Sequence, residues 1–344
     1  MKSKTAFTIW APAINFFRFH VKRLVMQFSV KRVQRNGFHL IQLQDTATGF
    51  TASIAPEQGG ILYALEIPHP QQKDPLNLIL SYDSPQDFAK HVGSKGFRGA
   101  KMFPFACRLK DAGYTWQGTT YRADKYLLGD HALHGLIYDA AYKASEINDS
   151  GLAAVQLEQN FPEGVPGYPF PFCIEIEYRL LPQQELEVIT RITNNHTAPI
   201  PVHDGWHPYF RTLGSVDLLQ LQINAPYQWE FDSGMLPTGN SMPFAEEGIV
   251  FPLKGRRFDD CFTVAINGQP AARLIDATHQ ITIDIIPGQN YGYLQVYTPD
   301  DRASIAIENL SGIPDCFNNQ TGLLVLEPKE PCTLSTSYRV RTAD

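Results

Sequence analysis

The sequence predicts an all-β protein, one large antiparallel β-sandwich, and three observations carry that expectation. Apolar and polar residues alternate with a period of two over much of the chain beyond Phe28. Glycine and proline, 25 of each, are spread through the chain as turn residues rather than clustered. Helical periodicity is nearly absent. Its best instance is a short turn from Ser84 to His91, where Ser84-Pro85 reads as an N-cap and first helical residue. Ile174, Ile176, Tyr178 and Leu180 then alternate with Glu175, Glu177 and Arg179, and after a turn at Pro182-Gln183-Gln184 the pattern resumes with Leu186, Val188, Thr190 and Ile192. Ile281, Ile283 and Ile285 alternate with Thr282 and Asp284, and the theme returns from Leu334 to Val340. Without a fixed repeat or linker, residues 28–344 read as a single sandwich domain. Pro68–Pro75 and Pro226–Gly255 read as long loops, the kind of segment that carries sites.

Composition narrows the function. Hydrophobic residues make up 43% of the 344, enough for a sizeable core. A formal net charge of −6 with 19% charged residues argues against a protein that neutralises nucleic-acid phosphates. No apolar run reaches 18 residues, so no membrane-spanning helix is expected. The cysteines, Cys107, Cys173, Cys261, Cys316 and Cys332, are odd in number and form no C-x-x-C pair. They read as small core residues in a reducing, cytoplasmic compartment. The first 44 residues hold eight Lys/Arg and no acid, which leaves the rest of the chain at −14. Ala6–Phe17 faintly resembles a secretory signal but lacks a small-x-small cleavage site and contains Pro12. Residues 1–27 are therefore read as a loosely attached basic arm, or the functional chain as beginning near Met26.

There is no G-x-G-x-x-G, Walker loop, H-E-x-x-H or G-x-S-x-G. What stands out is ionisable residues set among glycine, proline and aromatic neighbours: His131-Ala-Leu-His134-Gly135, His203-Asp-Gly-Trp-His207-Pro-Tyr-Phe210, Ile305-Ala-Ile-Glu308 and Phe103-Pro-Phe-Ala-Cys-Arg108. Each has a plain structural reading beside a chemical one. His134 fits a buried imidazole on a backbone carbonyl, Glu308 a solvent face opposite Ile305 and Ile307, and Arg108 a surface cation. His207, between Trp206 and Pro208-Tyr209-Phe210, fits a ligand cleft better.

Taken in order, these pieces resemble the aldose 1-epimerases (galactose mutarotases) from about residue 28 to 341. The resemblance rests on Gly59-Gly60, Phe103–Arg108, Gly113-Tyr114, Gly118-x-x-Tyr121, Leu133-His134-Gly135, Pro169-Phe170, Trp206–Phe210, Asp259–Phe262, Ile307-Glu308 and Gly322–Pro328. It implies the galactose mutarotase type of β-sandwich and interconversion of the α and β anomers of a free sugar, a small-molecule partner, with no cofactor or metal. By the same resemblance His207 is the general acid, Glu308 the general base, His134 a second imidazole at the anomeric centre, and Arg108 and Asp259 substrate-positioning groups. The chain departs from the family at Cys107, where asparagine is usual, and the match does not choose between Asp259 and Asp260.

The residue types suit the reaction. Opening a cyclic hemiacetal takes a proton from the anomeric hydroxyl and delivers one to the ring oxygen, so one base and one acid must grip opposite ends of a single short unit, from either side of one pyranose-sized hollow. A carboxylate near pKa 4.3 and an imidazole near 6.5, raised further by mutual attraction, are expected to hold those states at neutral pH. Trp206, Tyr209 and Phe103 are the expected aromatic wall, and the planar fork of Arg108 can donate to two hydroxyls. Three rivals stand beside this reading. Arg98, Arg108, Arg122 and Lys125 are candidates for the phosphate site of a hexose-phosphate epimerase. A non-catalytic carbohydrate-binding sandwich needs the aromatics but not the Glu308/His207 pair. A metal site at His203 and His207 requires the chain to turn, since a strand sets them about 13 Å apart.

Overall fold

The computed structural model describes residues 27–70, 72–149 and 152–342, so the expected basic arm lies outside the described residues except for Gln27. Antiparallel pairing organises the described residues into two broad sheets and several smaller ones. In the nine-stranded sheet Lys143–Asp149, Leu152–Phe161, Phe172–Leu181 and Glu185–Asn194 follow one another, and Pro331–Thr342 then pairs with Glu185–Asn194. Ile281–Pro287, Ala272–Asp276, Gln220–Ile223 and Val250–Pro252 complete it. The hairpin expected at Pro182–Gln184 is present, with Leu180 opposite Leu186 and Ile176 opposite Thr190. Gln183 and Gln184 turn the chain with φ of 65° and 55°.

The second sheet positions the site. Its order is Pro237–Pro243, Tyr227–Phe231, Asp259–Thr263, Tyr293–Tyr297, Ile305–Leu310, Gly205–Trp206 and Lys101–Met102, with Tyr209–Phe210 also paired to Ile305–Leu310. Ile305 and Ile307 from this sheet join Ile174, Ile176 and Val188 from the first in one buried apolar cluster. The sandwich therefore follows from period-two alternation in both sheets, each burying one face against the other.

A five-stranded meander runs from Phe28–Arg35 to Leu76–Asn77. The short helix Pro85–His91 packs Phe88 against Tyr82 and Tyr63 of a cluster beside that meander. Ser84 Oγ accepts the Asp87 N–H at 3.1 Å, the capping read from the sequence. No helix among the described residues is long and apolar enough to cross a membrane. Residues 226–255 differ from expectation. They form the hairpin Tyr227–Phe231/Pro237–Pro243 and the strand Val250–Pro252, not a loop. Pro237–Pro243 is an edge strand exposed along most of its length, so it carries no apolar alternation to announce it.

Gly135 shows how tightly the chain closes behind the site. It has φ of +77°, and a Cβ there would lie 2.2 Å from the Phe103 carbonyl oxygen and 2.8 Å from the Phe103 nitrogen. Gly118, with φ of +80°, has nothing within 4 Å of its would-be Cβ. Gly118→Ala should cost about 1 kcal/mol, the backbone term alone. Gly135→Ala should cost at least about 2 kcal/mol more, because backbone must move. Chemical denaturation of the two variants checks this, and equal losses would contradict it.

Candidate active site

Ile305–Leu310 is buried on both faces. Because Ile305 and Ile307 enter the core, Ala306 and Glu308 point to the opposite side. On that side the cross-strand register aligns Cys261, Gln295 and Glu308 in one row and Asp259, Tyr297, Ala306 and Tyr209 in the next. A cavity of about 530 Å³ opens over these rows, and His134, His207, Arg108 and Cys107 line it from the other walls.

Backbone pairing delivers His207. Gly205 lies between Met102 and Leu310, and Trp206 pairs with Lys101. His207 N–H then donates to the Ala100 carbonyl at 3.1 Å, and its own carbonyl accepts from Gly99 N–H at 2.8 Å. Its ring stacks on Tyr209, with centroids 4.8 Å apart and an 11° interplanar angle. Nε2 lies 3.4 Å from Glu308 Oε1. His134 takes φ of 59°, donates its N–H to the Cys107 carbonyl, and meets the His207 ring edge-on at 4.9 Å. Phe97 packs behind His134 at 4.7 Å.

Six expected site residues thus share one cavity: His134, His207, Glu308, Arg108, Asp259 and Tyr209. Asp259 faces the cavity and its Oδ1 accepts from Gln295 Nε2 at 2.7 Å, whereas Asp260 is bonded by Gln228 Nε2 at 2.8 Å outside the lining. The pleat, which no motif records, separates the two neighbours. Trp206 and Phe103 are corrections to the expected aromatic wall. Trp206 is the residue before His207 on an extended segment, so it points the other way, into the core against Tyr178. Phe103 is wholly buried against Phe172 at 4.7 Å. Aromatic lining comes instead from Tyr126, Phe231 and Tyr297 beside Tyr209. Gln295 and Tyr297 were not singled out in the sequence. Their alternation with Leu294 and Val296 was visible there, but not that they would lie between Asp259 and Glu308.

The electrostatics also depart from the expected pair. Burial pushes the His207 imidazole down to about 3 and lifts the Glu308 carboxyl well above its usual range, the nearby Asp259 charge adding to the latter. Burial lowers His134 as well, helped by His207 and Arg108, and raises Asp259 against the opposing pull of Arg108 and Gln295. Burial thus disfavours the charged form of both groups, the carboxylate of Glu308 and the imidazolium of His207. His134 Nδ1, His207 Nδ1, Glu308 Oε2 and Gln295 Oε1 are buried without a hydrogen-bond partner in the protein, a set of polar atoms that suits a ligand rich in hydroxyls.

His203 is committed elsewhere. Its Nδ1 accepts from Ala106 N–H at 3.2 Å and its Nε2 lies 3.1 Å from the Gly312 carbonyl, so neither nitrogen is open to a metal. Among the described residues no group of three or more His, Cys, Asp or Glu could hold a metal ion. All five cysteines are free thiols, and burial keeps the Cys107 thiol protonated.

The fold and this cavity define a galactose mutarotase-like β-sandwich protein. The structure superposes on a galactose mutarotase-like protein from Clostridium acetobutylicum with a TM-score of 0.78 at 18% identity, over 92% of this chain and 99% of that one. For galactose 1-epimerase from Lactobacillus acidophilus NCFM the TM-score is 0.75 at 18% identity, over 93% of this chain and 100% of that one. At such identity the likeness is one of fold. In sequence the chain is 26% identical over 245 residues to the uncharacterized protein YihR of Escherichia coli (strain K12), which spans 68% of this chain and 76% of YihR. The family model described as aldose 1-epimerase matches residues 39–339, and the chain belongs to that family.

His203 offers a test of these buried imidazoles. Its folded value is depressed to about 3, so its contribution to stability is complete above the unfolded value near 6.5 and is lost as pH falls from there toward 3. Glu308, with a raised value, acts in the opposite sense, so a difference measurement is needed. His203→Gln should be less stable than the parent at pH 7.5. That deficit should shrink by about 1.4 kcal/mol per pH unit below 6.5, read from denaturation curves at several pH values. A deficit independent of pH would mean that His203 is charged when folded.

Proposed function

We propose that the protein is an aldose 1-epimerase that interconverts the α and β anomers of a free aldose by acid/base ring opening and closure. The observation that carries this reading is the buried pair His207 Nε2 and Glu308 Oε1, 3.4 Å apart on the wall of one cavity. The two are neighbours rather than facing each other across a hollow. That suits the chemistry, because the anomeric hydroxyl and the ring oxygen are both bonded to one carbon, and adjacent groups can reach both at once.

With sugar hydroxyls donating to it, Glu308 starts ionised and the proton of the pair starts on His207; Glu308 takes the anomeric hydroxyl proton while His207 gives its proton to the ring oxygen. The bond from the anomeric carbon to the ring oxygen breaks, leaving an aldehyde and a chain hydroxyl. Glu308 is then protonated and His207 neutral, the state that burial favours. Rotation about the bond from the anomeric carbon to its neighbour turns the other carbonyl face, and the same two transfers run in reverse. Sugar hydroxyls donating to Glu308 offset the desolvation that otherwise keeps it neutral. Arg108 and the Asp259–Gln295 pair are placed to hold the remaining hydroxyls, and His134 closes the site beside His207.

A second reading, a hexose-phosphate epimerase, is favoured by one observation. Of the four cations considered for it, Arg122 and Lys125 pair with Asp124 and Asp139 away from the cavity, but Arg98 lines it with Arg108. Arg98 commits one guanidinium nitrogen to the Ser81 carbonyl at 3.1 Å.

Polarimetry over a panel of free hexoses should show accelerated mutarotation. Glu308→Gln and His207→Asn should each lower kcat by at least about a hundredfold, the scale of losing a general base or acid. A folded variant with near-normal turnover removes that residue from its role, and sugar binding without acceleration favours a binding module. A hexose 6-phosphate turned over faster than its parent hexose favours the second reading. The pH profile is a separate check. Because His207 is depressed to about 3, kcat/KM should stay level from about pH 7 to pH 5, where an imidazole near 6.5 would gain its proton.

A further inference from the structure

Behind the cavity, on the core side of the segment that delivers His207, lies a charged pair that the sugar chemistry leaves unused. Lys101 and Asp204 are both wholly buried, and the ammonium of one contacts Oδ2 of the other. Tyr291 OH donates to the same oxygen at 2.6 Å, and Lys101 Nζ donates to Thr190 Oγ1 at 3.1 Å. The ammonium also sits 4.4 Å over the Trp206 ring. Thr190 belongs to the nine-stranded sheet and Lys101 and Trp206 to the other, so the pair spans the sandwich core.

Its backbone setting ties it to the site. Asp204 stands three residues before His207, and Ser311 three residues after Glu308. Asp204 N–H donates to Ser311 Oγ at 2.9 Å, and Ser311 N–H donates back to the Asp204 carbonyl at 2.9 Å. The next pair along the two strands is Gly205 with Leu310. The Asp204 side chain is thus held from the core while its backbone clamps the strand of His207 to the strand of Glu308.

A buried ion pair is a poor source of net stability, because desolvation of both charges largely cancels their attraction and apolar side chains of similar volume do as well. What such a pair adds is direction: the contacts of Lys101 and Tyr291 to Asp204 Oδ2 are made in one placement only, while Asp204 Oδ1 is buried without a partner. We propose that Lys101 and Asp204 are positioning residues that hold the Asp204–His207 segment in the one placement that brings His207 Nε2 beside Glu308 Oε1. This rests on the reading that His207 and Glu308 perform the proton transfers.

The test removes both charges together. In Lys101→Met/Asp204→Asn no charge is left unpaired in the core, so the variant should fold with a melting temperature near that of the parent. Its kcat should fall about ten- to a hundredfold, the scale of a misplacement of order 1 Å, with KM within about threefold. A crystal structure of the variant should show the His207–Glu308 separation lengthened or split between conformers. Native kcat with an unchanged separation overturns the proposal, as does a loss of melting temperature with kcat per folded molecule intact. Should the double variant not fold, Tyr291→Phe, which removes one hydrogen bond from Asp204 and leaves the charges paired, is read the same way: kcat lowered at unchanged KM supports the proposal and native kcat overturns it. If the parent turns over no sugar, the proposed function fails, and the separation measured in the variant still decides whether the pair positions His207.

Discussion

The site depends on antiparallel pairing between Ile305–Leu310 and the segment from Gly205 to Phe210. In extended chain, successive side chains alternate between the two faces, so one register sends Trp206, Ile305 and Ile307 to the core and His207 and Glu308 to the cavity. A slip of one residue would exchange the two sets, putting apolar groups into the cavity and an imidazole or carboxyl into the core. Burial of each large apolar side chain is worth about 1.5–3 kcal/mol. The packing of the sandwich therefore decides where His207 and Glu308 stand, although the packed groups do not enter the cavity themselves.

The same burial sets their protonation. A carboxyl and an imidazole side by side at a wet surface would attract as an ion pair. In this cavity desolvation works against both charges, lifting the carboxyl and lowering the imidazole. Arg108 opposes this for Asp259, which stays engaged by Gln295. Polyhydroxy ligands are strong donors to carboxylates, so the cavity is of the kind in which ligand binding and proton placement are coupled.

Two polar layers flank the strand of His207. On one side lie the groups of the cavity, and on the other Lys101, Asp204, Tyr291 and Thr190. Sandwich cores seldom hold a lysine with no exposed surface. Nothing in the local pattern around Lys101 marks it as buried: it follows Gly99-Ala100 and precedes Met102-Phe103, a setting equally suited to a snorkelling surface lysine.

By itself the chain's alternation determined the all-β architecture, the hairpin at Pro182–Gln184, the capped turn at Ser84 and the opposition of Glu308 to Ile305 and Ile307, because each is a local property of period-two chain or of a cap. Residue chemistry and motif order singled out His134, His207, Glu308, Arg108, Asp259 and Tyr209 as candidates. Tertiary structure alone decided that these share one cavity, that Asp259 and not Asp260 faces it, that Trp206 and Phe103 are core, that Gln295 lies between Asp259 and Glu308, and that Lys101 meets Asp204. Those outcomes rest on strand pairings between residues about a hundred positions apart, such as Gly205 with Met102 and with Leu310, and on the desolvation they create. Local alternation states which side chains share a face, but it carries no information about which strand will lie beside it or how much water will remain.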